Sequence, residues 1–252
     1  NNYPLKSEGG LNPSGELRTK LKLYSNIRPA KAFKGIKCIL DKIDLVIVRE
    51  NTEGFYADRN MFSGNGELEI EEGTGISIRK ISKQASEKIA KRGFEIAKQI
   101  NKNKKINVHA IHKANVLRLT DGIFLKACRK ISKHYPEIEY HEMLVDAATA
   151  HMVRKPEQFD VLITTNMFGD ILSDLASELS GSLGLSGSLN VGDTIPMAQA
   201  QHGAAIDIMN KGIANPISLI FSVAMLLKWL GKQKCQMEYI KANELVFKVI
   251  EN

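Results

Sequence analysis

The sequence has little of what marks a secreted, membrane or nucleic-acid-binding chain. Its three cysteines, Cys38, Cys128 and Cys235, are odd in number, far apart and in no metal-ligand or redox spacing. That excludes a disulfide framework and points to a reducing, intracellular compartment. The longest apolar run, residues 217–227, is broken by Ser218 and Ser222 and is shorter than the roughly 20 residues that cross a bilayer. The opening residues do not read as a signal peptide. Aromatic residues are scarce at 6%, and none is interleaved with the lysines of residues 98–107, so the formal charge of +7 does not build the basic, stacking face that nucleic acid requires. A positive field that draws in small anions is the simpler account of that charge. What remains is an ordinary globular composition, 43% hydrophobic and 25% charged over 252 residues, enough for one large domain or two modest ones.

Along the chain, strand-like and helix-like segments alternate. Residues 1–16, rich in Gly, Pro, Asn and Ser, read as an exposed loop, and residues 16–31 as a short helix stopped at Pro29. Strands are expected at Ile43–Val48, ending in Arg49; at Ile106–Ile111, ending near Lys113 and Asn115; and at residues 159–163, FDVLI. Helices are expected from Ser82 to Ile100, with a weakly defined start because no capping box is present, from Thr120 to His134, over residues 164–184, and from Ile217 to Leu230. Residues 54–80 alternate apolar and polar positions around Ser63-Gly64-Asn65-Gly66, the pattern of an antiparallel hairpin that packs poorly alone and pairs in a dimer. The alternation predicts an α/β fold whose mostly parallel sheet is covered by helices, with a polar or charged residue at the C-terminal end of each strand.

Those ends collect the candidate site. Asp170 and Asp174 are four residues apart on the helix that follows FDVLI. They share a helix face, which suits either a hard divalent cation or a pair of solvated first-turn acids. Arg18, Arg28 and Arg49 suit a substrate with two or three carboxylates, because each guanidinium fork matches a carboxylate in two hydrogen bonds. Tyr56 and Lys113 can move protons, and Asp146 adds a third carboxylate for a metal.

The strings LRTKLKLYSNIRPAK, VIVRENTEGFY, HKANVLRLTDG and NMFGDILSDLASELSGSLG occur in order over nearly the whole chain. They resemble the signature segments of the metal-dependent β-decarboxylating dehydrogenases, the isocitrate, isopropylmalate, homoisocitrate and tartrate dehydrogenase family. The resemblance implies that Arg18, Arg28, Arg49 and Asn115 bind substrate, and that Tyr56 and Lys113 are the acid/base pair. It implies that Asp146, Asp170 and Asp174 surround Mg²⁺ or Mn²⁺. It also implies a homodimer with shared sites, in which Lys113 and Asp146 serve the neighbour and residues 54–85 form the intersubunit arm. The resemblance divides the chain into a partial large domain, residues 1–23 and 181–252, and a small domain, residues 24–180.

For the cofactor, His202, Gly203, Asp207, Ile208 and Asn215 match the family's adenosine loop, with Asp207 where NAD-using members carry an acid for the ribose hydroxyls. Ile206 stands in place of the usual proline, and Gln199 where glutamate is common. Asn12 and Ser14, just before the first arginine, are polar and favour isocitrate, leaving isopropylmalate, homoisocitrate and tartrate open. A non-catalytic regulatory subunit of the same fold is the alternative. The resemblance further implies that the family's first strands, with a Gly-Asp-Gly turn, and its closing Asp-Leu-Gly-Gly segment are absent. A cytoplasmic enzyme, or a mitochondrial matrix one, is expected.

Overall fold

The computed structural model describes residues 12–56, 66–100 and 104–251. Nine strands and seven α-helices occur among them. A seven-stranded sheet runs in the order β6 (Glu139–Leu144), β5 (Asn107–His112), β7 (Val161–Thr164), β2 (Asp44–Glu50), β1 (Ser25–Lys31), β8 (Leu189–Val191), β9 (Pro196–Ala198). Strands β6, β5, β7 and β2 pair in parallel, whereas β1, β8 and β9 pair antiparallel to their neighbours. Because β8 is antiparallel to β1, which is itself antiparallel to β2, five of the seven strands share one direction. This is the mostly parallel sheet that the β/α alternation predicts. It runs unbroken past residue 180, since β8 and β9 extend it beyond β1.

The central strands β2, β5 and β7 are largely buried on both faces, which is why residues 45–48 and 161–163 read as continuous apolar runs and not as alternations. On one face Val48, Val108, Ala110, Val161 and Ile163 pack against Ile89, Ala90 and Phe94 of α2 (Lys83–Ala97) and Phe124, Leu125 and Cys128 of α3 (Thr120–Ser132). On the other, Ala30, Leu45, Ile47, Ile111 and Leu162 meet Ala148 and Met152 of α4 (Val145–Arg154) and Leu172, Ala176 and Leu179 of α5 (Asn166–Ser180). Each fully buried side chain of this size contributes about 1.5–3 kcal/mol of transfer free energy. Gly93 lets α2 approach the sheet so closely that a Cβ there would overlap Ile163.

Four local expectations are corrected. Residues 13–16 are not loop: α1 (Pro13–Lys20) begins there, with Asn12 Oδ1 accepting the Gly15 N–H at 3.1 Å and Pro13 in the first turn, where its missing donor costs nothing. That helix does not continue to Pro29. It ends before Lys22, which adopts a left-handed φ of 52°, and Arg28 and Pro29 belong to β1. A strand proline is tolerated here because β8 pairs with β1 only over Ser25–Ile27, leaving Pro29 beyond its reach. The start of α2 is well defined despite the missing capping box, because Ser82 Oγ accepts the Ala85 N–H at 3.1 Å. The hairpin pairs β3 (Glu67–Glu71) with β4 (Thr74–Ser77) around Gly73 at φ +76°, downstream of the expected Ser63–Gly66 turn, of which residues 63–65 lie outside the described residues. Leu68, Ile70 and Ile76 of this hairpin are all exposed. The expected loop over residues 1–11 and residues 57–65 of the arm also lie outside the described residues. The chain closes with a helical pair, α6 (Ile217–Lys234) and α7 (Met237–Glu251), of which the sequence pattern gives only the first. Among the described residues no helix is long and apolar enough to cross a membrane.

Candidate active site

Strand register brings the candidate residues to one edge. Arg49 is level with Thr164, Thr164 with Ile111, and His112 with Leu144. The residues that follow, in β2, β7, β5 and β6, therefore lie just beyond the C-terminal ends of four parallel strands, where open α/β sheets place their ligands.

Arg49 follows Val48 and so points to the opposite face, toward α5. Its side chain is 2% exposed although it carries a full charge. Burial on that scale demands partners. Nε donates to Asn166 Oδ1 at 2.9 Å, Nη2 to the Tyr56 hydroxyl at 2.7 Å, and Nη1 to Asp170. Asn166 is itself fixed by donating to the Glu53 carbonyl at 2.7 Å. Tyr56 donates in turn to Asp170 Oδ2 at 2.7 Å. Gly169 makes the arrangement possible. A Cβ on it would stand 2.6 and 2.7 Å from Arg49 Cγ and Cβ.

Arg28, two residues before Ala30 on the same face of β1, is the second buried cation. Its Nε donates to Asn26 Oδ1 at 2.5 Å and its Nη1 to Ser173 Oγ at 2.7 Å, with Asp170 at 3.2 Å and Asp174 at 3.4 Å. Burial, and then the nearby Arg49 charge, pull its pKa down to about 10, so it stays cationic at neutral pH. Burial by itself would raise the Asp170 carboxyl, but Arg49, the Tyr56 hydroxyl, Arg28 and Arg18 outweigh it and hold the group below the usual carboxylate range. Asp174 goes the other way. Its desolvation outweighs the Gln201 hydrogen bond and Arg28, and its carboxyl is raised. One face of α5 thus carries one well-compensated carboxylate and one under-compensated one.

Arg18 joins this set from α1. Its Nη2 donates to Gln199 Oε1 at 2.9 Å, and Ser14 Oγ donates to the same oxygen at 3.1 Å. Asn190 Nδ2 adds a third donor at 3.3 Å and links this group to Asn26 through its own Oδ1, at 3.1 Å from Asn26 Nδ2. Gln201 binds Ser173 O, Asp174 Oδ1 and Ser177 Oγ at 3.1, 3.3 and 2.8 Å. Asn26, Asn166, Ser173, Asn190 and Gln201 escape sequence reasoning, since a polar residue in a helix or strand reads as solvated until its buried partner is known. The only signal in the sequence for Gly169 is a glycine inside a helical pattern, which suggests close packing.

Lys113 and Asp146 form a separate pair at the β5 and β6 end, with Nζ donating to Oδ1 at 2.6 Å. That hydrogen bond is the main reason the Asp146 carboxyl lies below its ordinary value. Their strands stand one and two places beyond β7, and two strand spacings, about 10 Å, separate β5 from the Arg49 strand. Among the described residues no three metal-ligating side chains converge within the chain, so Asp146 does not join Asp170 and Asp174. Asn115 is exposed in the turn after Lys113. His202, Gly203, Asp207 and Asn215 lie on an exposed loop, with Ile208 half-buried and Asp207 in a single 3-10 turn. His202 Nδ1 lies 2.9 Å from the Gly203 carbonyl, and Asn215 Oδ1 accepts the Ile217 N–H at the start of α6.

A family model described as isocitrate/isopropylmalate dehydrogenase matches residues 2–251. The chain belongs to that family. It is 45% identical over 235 residues to the 3-isopropylmalate dehydrogenase of Archaeoglobus fulgidus, covering 93% of this chain and 68% of that protein. It is 44% identical over 229 residues to the homoisocitrate dehydrogenase of Methanocaldococcus jannaschii, covering 86% and 62%. Among solved structures, the isocitrate dehydrogenase of Methylococcus capsulatus superposes with a TM-score of 0.80 at 40% identity over 93% of this chain and 68% of that one. The chain thus spans about two thirds of the length of these relatives. Family membership makes it an oxidoreductase chain of the decarboxylating dehydrogenase type.

Proposed function

We propose that this chain catalyses the NAD-linked oxidative decarboxylation of a 2-hydroxy di- or tricarboxylic acid, with isocitrate, converted to 2-oxoglutarate and CO₂, as the preferred substrate. The observation that carries the reading is one hydrogen-bonded set in which two buried arginines, a tyrosine hydroxyl and two helical aspartates meet at the strand ends.

Arg28 and Arg49 supply fixed, dry guanidinium forks for two carboxylates, and their burial strengthens each contact over its value in water. Arg18 and Ser14, side by side on Gln199, offer a cation and a hydroxyl to a third carboxylate. An isopropyl group there would strip water from both without replacing it, which is unfavourable. The isopropylmalate names of several relatives favour the second reading, 3-isopropylmalate or a homologous 2-hydroxy acid.

The donor set fits a hard cation. Asp170 and Asp174 present carboxylate oxygens on one helix face, and the raised Asp174 is a group that a nearby positive charge would stabilise. These two would hold Mg²⁺ or Mn²⁺, with Asp146 from a second copy as the third ligand in a homodimer. When bound, the metal would supply Lewis-acid polarisation of the substrate oxygens and the dinucleotide a hydride acceptor. Lys113, in its neutral amine form, accepts the hydroxyl proton at Nζ, the nitrogen being placed by Asp146 at 2.6 Å. Tyr56 delivers its phenolic proton to the carbon that has lost CO₂, and Arg49 Nη2, 2.7 Å away, compensates the charge left on the oxygen. For the dinucleotide, Gly203 has open space where a side chain would stand, and the exposed Asp207 can accept hydrogen bonds from ribose hydroxyls. The free cysteines support a reducing location, the cytoplasm or the mitochondrial matrix.

The test is appearance of reduced nicotinamide in the presence of Mg²⁺, with isocitrate, 3-isopropylmalate, homoisocitrate and tartrate offered in parallel. Turnover of isocitrate above the others is the expected result. Preference for 3-isopropylmalate would hand the site to the second reading, and silence with all four in a folded dimer would favour a regulatory subunit.

A further inference from the structure

Beneath the Lys113 turn lies a second ion pair that the chemistry above does not use. Asp121, in the first turn of α3, is fully buried. Its Oδ1 accepts from Arg79 Nη1 at 2.5 Å, and its Oδ2 accepts the backbone N–H of Lys113, also at 2.5 Å. Arg79, with its side chain 7% exposed, donates further to Thr120 Oγ1 at 2.7 Å and Thr165 Oγ1 at 3.2 Å. Its guanidinium lies 5.5 Å from the ring centres of Phe55 and Phe168.

The pair therefore sits where the base of the β3–β4 hairpin, the Tyr56 segment, the Lys113 turn and the start of α5 come together. A buried ion pair is poor evidence for stability, since apolar residues of the same shape often serve as well or better. What this one provides, and an apolar pair cannot, is a directed acceptor for the Lys113 amide. The other side of the same residue is also fixed, because the Lys113 carbonyl accepts from Val116 N at 3.0 Å and Leu117 N at 2.8 Å. Both peptide groups flanking the Lys113 Cα are thereby held, and the side chain leaves from a set origin to reach Asp146.

We propose that Asp121, held in place by Arg79, is a positioning residue for Lys113. It acts on catalysis by fixing the backbone from which the Lys113 amine is presented, and it touches no reacting atom itself. This rests on the proton-transfer role proposed for Lys113.

The experiment compares two double variants of the whole chain. Arg79→Met with Asp121→Leu removes the acceptor without leaving a buried charge uncompensated. Arg79→Gln with Asp121→Asn removes both charges but keeps an acceptor for the Lys113 N–H. The first is expected to fold, to exchange the Lys113 amide hydrogen at least about tenfold faster, and to lose on the order of 10- to 100-fold in kcat with KM within about threefold, as for a reacting group displaced by a fraction of an ångström to 1 Å. The second is expected to restore most of the exchange protection and most of kcat. Unchanged exchange at Lys113 in the Met/Leu protein overturns the proposal on its own. So does a kcat within about threefold of the parent, or failure of the Gln/Asn pair to recover it. If the parent turns over none of the four acids, the functional reading falls, while exchange at Lys113 still decides whether Asp121 holds that residue.

Discussion

Tyr56 donates a hydrogen bond to Asp170 across 2.7 Å, so the proposed proton donor and a proposed metal ligand are bonded to each other, with Arg49 in contact with both. The same aspartate faces the second buried arginine, Arg28. A change at any of these four groups is transmitted to the others, and their effects should not add.

Tyr56→Phe removes the phenolic proton and leaves the ring. With the reading above, kcat should fall by about 10²- to 10⁴-fold, the usual worth of a positioned general acid, while KM stays nearly constant. Steady-state kinetics on the preferred acid checks this. An unchanged kcat would take the proton-donor role from Tyr56.

Asp170→Asn and Asp174→Asn separate two functions of the α5 face. Both should raise the Mg²⁺ concentration for half-maximal activity by at least about tenfold, since even the outer partners of metal ligands are worth that much. Only Asp170→Asn should also lower the melting temperature, because it leaves Arg28 and Arg49, 6% and 2% exposed, without their shared carboxylate. The cost should be about 1–2 kcal/mol, below that of a fully buried pair because the Asp170 side chain is itself 39% exposed. Equal melting temperatures for the two variants would show that Asp170 is not the main compensating charge for the arginines.

Gly169→Ala tests the packing that positions Arg49. The added methyl would meet Arg49 Cβ and Cγ at 2.6–2.7 Å and Thr164 Cγ2 at 3.0 Å, too close for real contacts. The helix must shift away from β2, at an expected cost of about 1–3 kcal/mol, and substrate KM should rise as the guanidinium moves. Thermal unfolding and kinetics together check it. An unperturbed KM would mean that Arg49 is held by its hydrogen bonds alone.

His109 sets an acid limit on stability. It lies on β5, 5% exposed, with His141 stacked at 4.8 Å and Phe159 edge-on at 4.7 Å. Burial first, and then the neighbouring His141, lower its pKa to about 4. The unfolded chain therefore binds more protons than the folded one between that value and the ordinary 6.5 or so. The stability contributed by keeping His109 neutral is fully present above about pH 6.5 and is lost as pH falls toward 4. The loss should reach about 2 kcal/mol by pH 5. His109→Phe should flatten the denaturant midpoint between pH 7 and pH 5, and an unchanged slope would assign the acid limb to other groups.

The sequence by itself determined the kinds of element and the chemistry available. Both-face burial makes a parallel strand an apolar run, so β2 and β7 are visible as residues 45–48 and 161–163, and the i, i+4 spacing of Asp170 and Asp174 follows from helix geometry alone. Arg49 and Lys113 stand out because each ends or follows an expected strand, whereas Asp146 is placed after one only by β6. Tertiary structure decided which of these residues meet. Arg28 reads as the end of a helix, since its strand conformation is stabilised by pairing with β2, a segment about 20 residues away that local pattern cannot see. Gln199 and Asn190 join the site only because β8 and β9 add to the sheet beside β1. Lys113 and Asp146 share the strand-end edge with Asp170 but face a different place, because β7 stands between their strands and β2. Periodicity fixes the direction of a side chain along its own element. The order of the strands, which no local interaction encodes, fixes its neighbours.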